Sequence, residues 1–184
     1  MKLLKRLVTP LVAMVFISMF MAFPIFPVAA TPSLPLPTLE AIPTVITIPG
    51  AGTTVSIDIW ARNLVDGWEI IGFQFSVPFN AQWLTPWLPL PGGFMEAFAN
   101  DGESIYTTIV SDIPYKPNWY LTTAAVLILP DDAGVYHAPF PNGEGKVITL
   151  RYKGTGQGVG ASMPIDLLDI IILARELNVE LSGW

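Results

Sequence analysis

The chain has 184 residues, 52% of them apolar, which is enough for one domain with its own core and too few for two. It contains no cysteine, so disulfide frameworks, thiol nucleophiles and thiolate metal sites are excluded. The formal net charge is −6, and because a phosphate-binding surface needs the opposite sign, nucleic acid is excluded as a partner.

Lys2, Lys5 and Arg6 form a basic start, Leu7 to Phe23 is almost wholly apolar, and Pro27 to Ala30 (PVAA) supplies small residues. That order reads as a secretory signal peptide over residues 1–30. The rival is an uncleaved N-terminal anchor, since Leu7 to Ala30 is long enough to cross a bilayer. Val28 and Ala30 suit a signal peptidase, and Pro24 and Pro27 interrupt a helix, which favours cleavage. Either way the remainder is expected outside the cytoplasm, extracellular or at the cell surface, touching membrane only through this segment if it is retained. Without the leader, six basic residues face fifteen acidic ones, a formal −9.

Residues 31–43 (TPSLPLPTLEAIP) alternate proline with short apolar residues, which reads as an extended linker, and a single domain is expected over residues 44–184. In TTVSIDIWARN the period of two sets Val55, Ile57, Ile59 and Ala61 on one face and Ser56, Asp58, Trp60 and Arg62 on the other. In WEIIGFQFSVPFN the same period sets Ile71, Phe73, Phe75, Val77 and Phe79 against Gly72, Gln74, Ser76 and Pro78. Pro78 lacks a ladder donor and points to a strand end or sheet edge, and Asn80 begins a turn. Trp83 to Gly93 (WLTPWLPLPGG) reads as a long proline-rich surface crossing. Ser104–Ser111 and Tyr120–Leu129 read as strands. In KVITLRYKG, Ile148, Leu150 and Tyr152 oppose Val147, Thr149 and Arg151. Ile165–Ala174 ends the series; its three consecutive isoleucines favour a doubly covered strand over a helix. The pattern predicts an all-β fold, a jelly-roll-like antiparallel β-sandwich of about seven to nine strands after the signal helix and linker.

Catalytic chemistry is sparse. His137 is the only histidine, and none of the serines lies in a Gly-X-Ser-X-Gly elbow, so no catalytic residue is assigned and the chain is read as a non-enzyme. Asp131 and Asp132, and likewise Asp101 and Glu103, read as solvated turn residues; Ca²⁺ is the one cofactor they leave open, without EF-hand spacing. Trp60, Trp83, Trp87 and Trp119 are the candidate binding residues. Exposed aromatics of an exported sandwich stack on sugar rings or anchor a protein interface, whereas buried ones merely cover the sandwich edge or its loops.

The order of these segments resembles a cohesin-type domain of the divergent exported kind. TTVSIDIWARN is followed by the aromatic-rich WEIIGFQFSVPFN, and PGGFMEAF is similar to the family's lead into a buried phenylalanine, here Phe94. GEGKVITLRYKGTGQG is similar to its Gly-X-Gly, strand and Lys-Gly turn, and PIDLLDIIILARELNVELSGW to its closing strand pair. Ser111–Trp119 (SDIPYKPNW) has no assigned place in that order. The resemblance implies a non-catalytic adaptor that binds a partner protein module through one sheet face, for surface attachment or assembly. Two other readings remain beside it: a carbohydrate-binding module that recognises polysaccharide through the exposed tryptophans, and a structural subunit of a surface layer or filament.

Overall fold

The computed structural model describes residues 35–99 and 105–175. The leader expected over residues 1–30, the acidic pair Asp101 and Glu103, and residues 176–184 lie outside the described residues.

Among the described residues, ten strands and one short α-helix follow in chain order, with a single 3-10 turn at Asp66–Trp68: β1 (Thr38–Ile42), β2 (Val45–Thr47), β3 (Thr54–Leu64), β4 (Ile70–Asn80), β5 (Leu84–Pro91), α1 (Glu96–Ala99), β6 (Ile105–Lys116), β7 (Trp119–Leu129), β8 (Gly143–Gly154), β9 (Ser162–Pro164) and β10 (Leu168–Ala174). Sheet 1 has the order β1-β3-β8-β5 and sheet 2 the order β10-β4-β7-β6, with β2 and β9 forming a small third ladder. Every strand pair is antiparallel. The molecule is an all-β sandwich, as the alternating segments predict.

The core is built by that alternation. Ile57, Ile59 and Ala61 of β3, Phe73, Phe75, Val77 and Phe79 of β4, Ala124 and Val126 of β7, and Ile148, Leu150 and Tyr152 of β8 are buried together. The aromatic run is therefore the spine of the core. Its rings meet sheet 1 directly, with the centroids of Phe79 and Tyr152 5.2 Å apart. Ile46 and Met163, paired across β2 and β9, are buried at one end of the core.

Several expectations need correction, each for a local physical reason. Residues 38–42, placed in the linker, form β1 along β3; Thr38–Ile42 is free of proline and alternates Leu39 and Ala41 toward the core. Trp83–Gly93 is not an irregular crossing, because Leu84–Pro91 pairs with β8 as β5. β5 is an edge strand, where Pro86, Pro89 and Pro91 forfeit donors that no second neighbour would have used. At the start of β4 a bulge shifts the alternation, so Ile70 is fully buried and Ile71 only half. A similar irregularity between the partners of Ile59 and Trp60 adds Val147 to the buried set on β8. β10 is a strand as expected, but an edge strand rather than a doubly covered one, and of its isoleucines only Ile172 is buried. Met95, not Phe94, is the fully buried residue of its segment; Phe94 is half-buried against Phe98 at 5.4 Å.

Other features stand as the sequence suggests. Pro78 lies in β4 beyond its last pairing with β10, Leu168↔Ser76, so that side of β4 has no partner strand there among the described residues. Asn80 accepts the Gln82 backbone N–H on its side-chain oxygen at 2.9 Å, closing the turn. SDIPYKPNW is the second half of β6 plus a tight hairpin into β7, in which Asn118 takes φ 65°.

Candidate binding surface

The outward residues of the two sheets differ in kind. On sheet 1, alternation sets Glu40 of β1, Asp58, Trp60 and Arg62 of β3, and Glu144, Lys146, Arg151 and Lys153 of β8 toward solvent. Five of these seven charges pair with one another. Arg62 bridges Glu40 at 3.1 Å and Glu144 at 2.7 Å, tying three strands together, and both carboxylates hold its guanidinium above the ordinary arginine range. Asp58 accepts the Thr149 hydroxyl at 2.6 Å and lies 3.6 Å from Lys146. Four of the six basic residues after residue 30 stand on this one face.

Sheet 2 presents the reverse. Its outward residues are Gly72, Gln74 and Ser76 of β4, Leu121, Thr123, Ala125, Leu127 and Leu129 of β7, Ile105, Thr107, Ile109, Ser111 and Ile113 of β6, and Ile171 and Leu173 of β10. None of these is ionisable. Ile105, Ile109 and Ile113 remain 56%, 59% and 48% exposed. The relief is low because Gly72 lets Leu127 lie across it, where an added methyl would collide with the Leu127 side chain. Ser76 and Thr123 share a hydrogen bond across the strands at 3.0 Å. Asp169 at the β10 bulge and Lys116 at the β6–β7 hairpin bring charge only to the rim.

The candidate tryptophans do not form one row. Trp60 and Trp87 share the outer face of sheet 1, but with β8 between their strands. Each carries a cation, Arg62 at 5.1 Å from the Trp60 ring centre and Lys153 at 3.0 Å from that of Trp87. Trp83 lies in the turn between β4 and β5, half-buried against Gly158. Trp119 begins β7 with Lys116 4.8 Å from its ring centre. Trp68 is half-buried and donates its indole N–H to the Pro35 carbonyl at 2.9 Å.

The acidic pair Asp131 and Asp132 sits in the loop between β7 and β8. Asp131 accepts the backbone N–H groups of Ala133 and Val135 and contacts His137 Nε2 at 3.0 Å. The Val135 N–H first, then His137, hold its carboxyl below the usual range. This is a turn built around a carboxylate, and among the described residues no group of three potential ligands could hold a metal ion.

At the β5–β6 side the sandwich is open. A cavity of about 360 Å³ is lined by Pro86 to Pro89 of β5, Val110 and Asp112 of β6, and Thr122, Leu150 and Tyr152 deeper in. A second, of about 310 Å³, shares Pro89 and Val110 with it. Tyr152 is 1% exposed, and among the described residues its hydroxyl has no hydrogen-bond partner. Thr122 gives its own proton to Asp112 at 2.7 Å.

The chain is similar to cohesin modules. The third cohesin ScaC from Acetivibrio cellulolyticus, in complex with the ScaB dockerin, is 17% identical with TM-score 0.47, over 79% of this chain and 92% of that one. A type I cohesin in complex with a dockerin from Clostridium thermocellum is 16% identical with TM-score 0.43, over 68% and 76%. A cohesin module of a family 33 glycoside hydrolase from Clostridium perfringens is 11% identical with TM-score 0.37, over 75% and 93%. No protein-family model matches the chain, and no curated protein matches it.

The outer face of sheet 2 is the surface that sequence reasoning missed. Its signal was present in YLTTAAVLIL, which is apolar at both parities of a strand. A strand with one solvated face alternates apolar and polar, so apolar residues on both sides mark a second face with something to cover.

Proposed function

We propose that this chain is an exported, non-catalytic adaptor that holds a partner protein module on the outer face of sheet 2. The observation that carries this reading is the division of charge between the two faces. A flat, four-stranded surface without an ionisable side chain, ringed by Asp169 and Lys116, has the composition of an interface core with a polar rim. The charges of sheet 1, most of them paired, suit permanent solvation instead. Export rests on the basic, apolar and small-residue order of residues 1–30. Two of the neighbouring cohesins are held in complex with dockerins, so a protein module is the class of partner the reading names.

The test uses the purified protein as bait against secreted proteins and insoluble polysaccharide from its host. Ala125, central on sheet 2 between Gln74 and Ile109, is the position to perturb. Saturable capture of one protein that Ala125→Arg abolishes, while Trp60→Ala and Trp87→Ala leave it intact, is the expected result. Retention on polysaccharide that the tryptophan changes abolish would overturn the reading in favour of sugar recognition.

A further inference from the structure

The two edge strands that flank the open side of the sandwich are unlike. β5 spends three of its eight residues on proline, which blocks ladder formation. β6 is twelve residues long and ends sheet 2 with no strand on its outer side among the described residues. From Ile105 to Ile113 it has no proline, lysine or arginine, the residues that ordinarily guard an exposed edge. Such an edge is a template for another strand.

Its sequence specifies which one. IYTTIVSDI is close to a palindrome about Ile109: Thr108 answers Val110, Thr107 answers Ser111, Tyr106 answers Asp112 and Ile105 answers Ile113. Antiparallel pairing of β6 with itself about a two-fold axis at Ile109 therefore sets like beside like on the outer face. Ile105 meets Ile113 of the second copy, Thr107 meets its Ser111, and the two Ile109 residues meet each other. On the inner face Asp112, the one charge in the stretch, is set opposite Tyr106 of the second copy and not opposite another Asp112. The Tyr106 oxygen accepts the Thr108 hydroxyl at 2.9 Å, which leaves its own proton free to donate to that carboxylate.

We infer that β6 pairs edge to edge with β6 of a second copy of this chain, joining two sheets 2 into one continuous eight-stranded sheet. Nine paired residues make a seam about 30 Å long. A strip of that length and about one strand wide buries less than the roughly 1,200 Å² of a stable interface. The remaining contact comes from the β5 shoulder, where Leu88 and Leu90 are 69% and 46% exposed beside the two cavities. The dimer is accordingly concentration-dependent. It also doubles the uncharged face, so that each assembly presents two adaptor surfaces side by side.

The absence of native cysteine makes register directly readable. Paired antiparallel residues have Cα atoms about 4.5–5.5 Å apart, within disulfide reach. Under mild oxidation of the purified protein, Ile109→Cys is expected to form a disulfide dimer at least about tenfold faster than Ile113→Cys, whose counterpart is Ile105. A mixture of Ile105→Cys and Ile113→Cys proteins is expected to cross-link as Ile109→Cys does. In sedimentation velocity the unmodified protein should move from monomer to dimer as its concentration rises. Ile109→Lys, which sets two ammonium groups against each other at the axis, should abolish that shift without lowering the melting temperature. A monomer at every concentration up to about 1 mM, or equal cross-linking rates at positions 109 and 113, would overturn the inference. Neither readout involves a partner protein, so failure here is separable from failure of the adaptor reading.

Discussion

Replacing Tyr152 by Phe tests how the sandwich tolerates polarity in its core. The ring packs 5.2 Å from Phe79 and is kept by the substitution; only the buried hydroxyl is lost. An unpartnered buried hydroxyl costs about 1–3 kcal/mol relative to one solvated in the unfolded chain. A gain near the lower end of that range, about 1 kcal/mol, is expected. For a domain of this size that raises the melting temperature by about 2–4 °C. A second signature separates this cause from better packing. Burial, above all, drives the ionisation of Tyr152 well above the ordinary tyrosine range, so above pH ~10 the unfolded chain releases a proton that the folded protein retains. The native protein must then lose stability with rising pH by up to about 1.4 kcal/mol per unit, while Tyr152→Phe escapes that loss. Urea unfolding of both proteins from pH 7 to pH 11 reads the difference. A variant less stable by about 1 kcal/mol at pH 7, or a gap that stays constant to pH 11, would refute the reasoning and show the hydroxyl to be well bonded.

Phe75, fully buried in the centre of β4, should cost about 3–5 kcal/mol on truncation to Ala, read as a shifted denaturant midpoint with unchanged slope. Asp58→Ala removes the acceptor of the buried Thr149 hydroxyl and should cost about 1 kcal/mol, with Asp58→Asn recovering most of it in the same unfolding assay. Asp131→Asn should speed amide exchange at Ala133 and Val135, whose N–H groups Asp131 accepts. Because the folded carboxyl titrates below its usual value, the native loop should keep its protection above pH ~4 and lose it as pH falls through the folded value. Exchange rates equal in both proteins at pH 7 would rule out that anchoring role.

The individual strands of this protein were legible because each depends on its own residues. Ile57, Ile59 and Ala61 on β3 and Phe73 to Phe79 on β4 alternate with period two, and a strand with one buried face needs nothing more. The turn at Asn80 and the carboxylate loop at Asp131 were likewise local. Expectations failed where a neighbour decides. The prolines of Trp83–Gly93 forbid a central strand but permit an edge one, and only β8 alongside made the segment β5. Ile70 replaced Ile71 because a bulge against β10 shifted the pleat.

Topology was beyond local reading for the same reason. Among the described residues only β6 and β7 pair as chain neighbours, while β3, β5 and β8 meet from distant parts of the chain. The binding surface and the self-complementary edge belong to that category. The palindromic residues of β6 and the two-sided apolar pattern of β7 are properties of the sequence. That β6 is an edge, and that the second face of β7 is not covered by the described residues, follow from strand order, which is set by long-range burial. What the sequence by itself determined is which residues seek the interior of a sheet; what only the tertiary structure decided is which of them were left facing out.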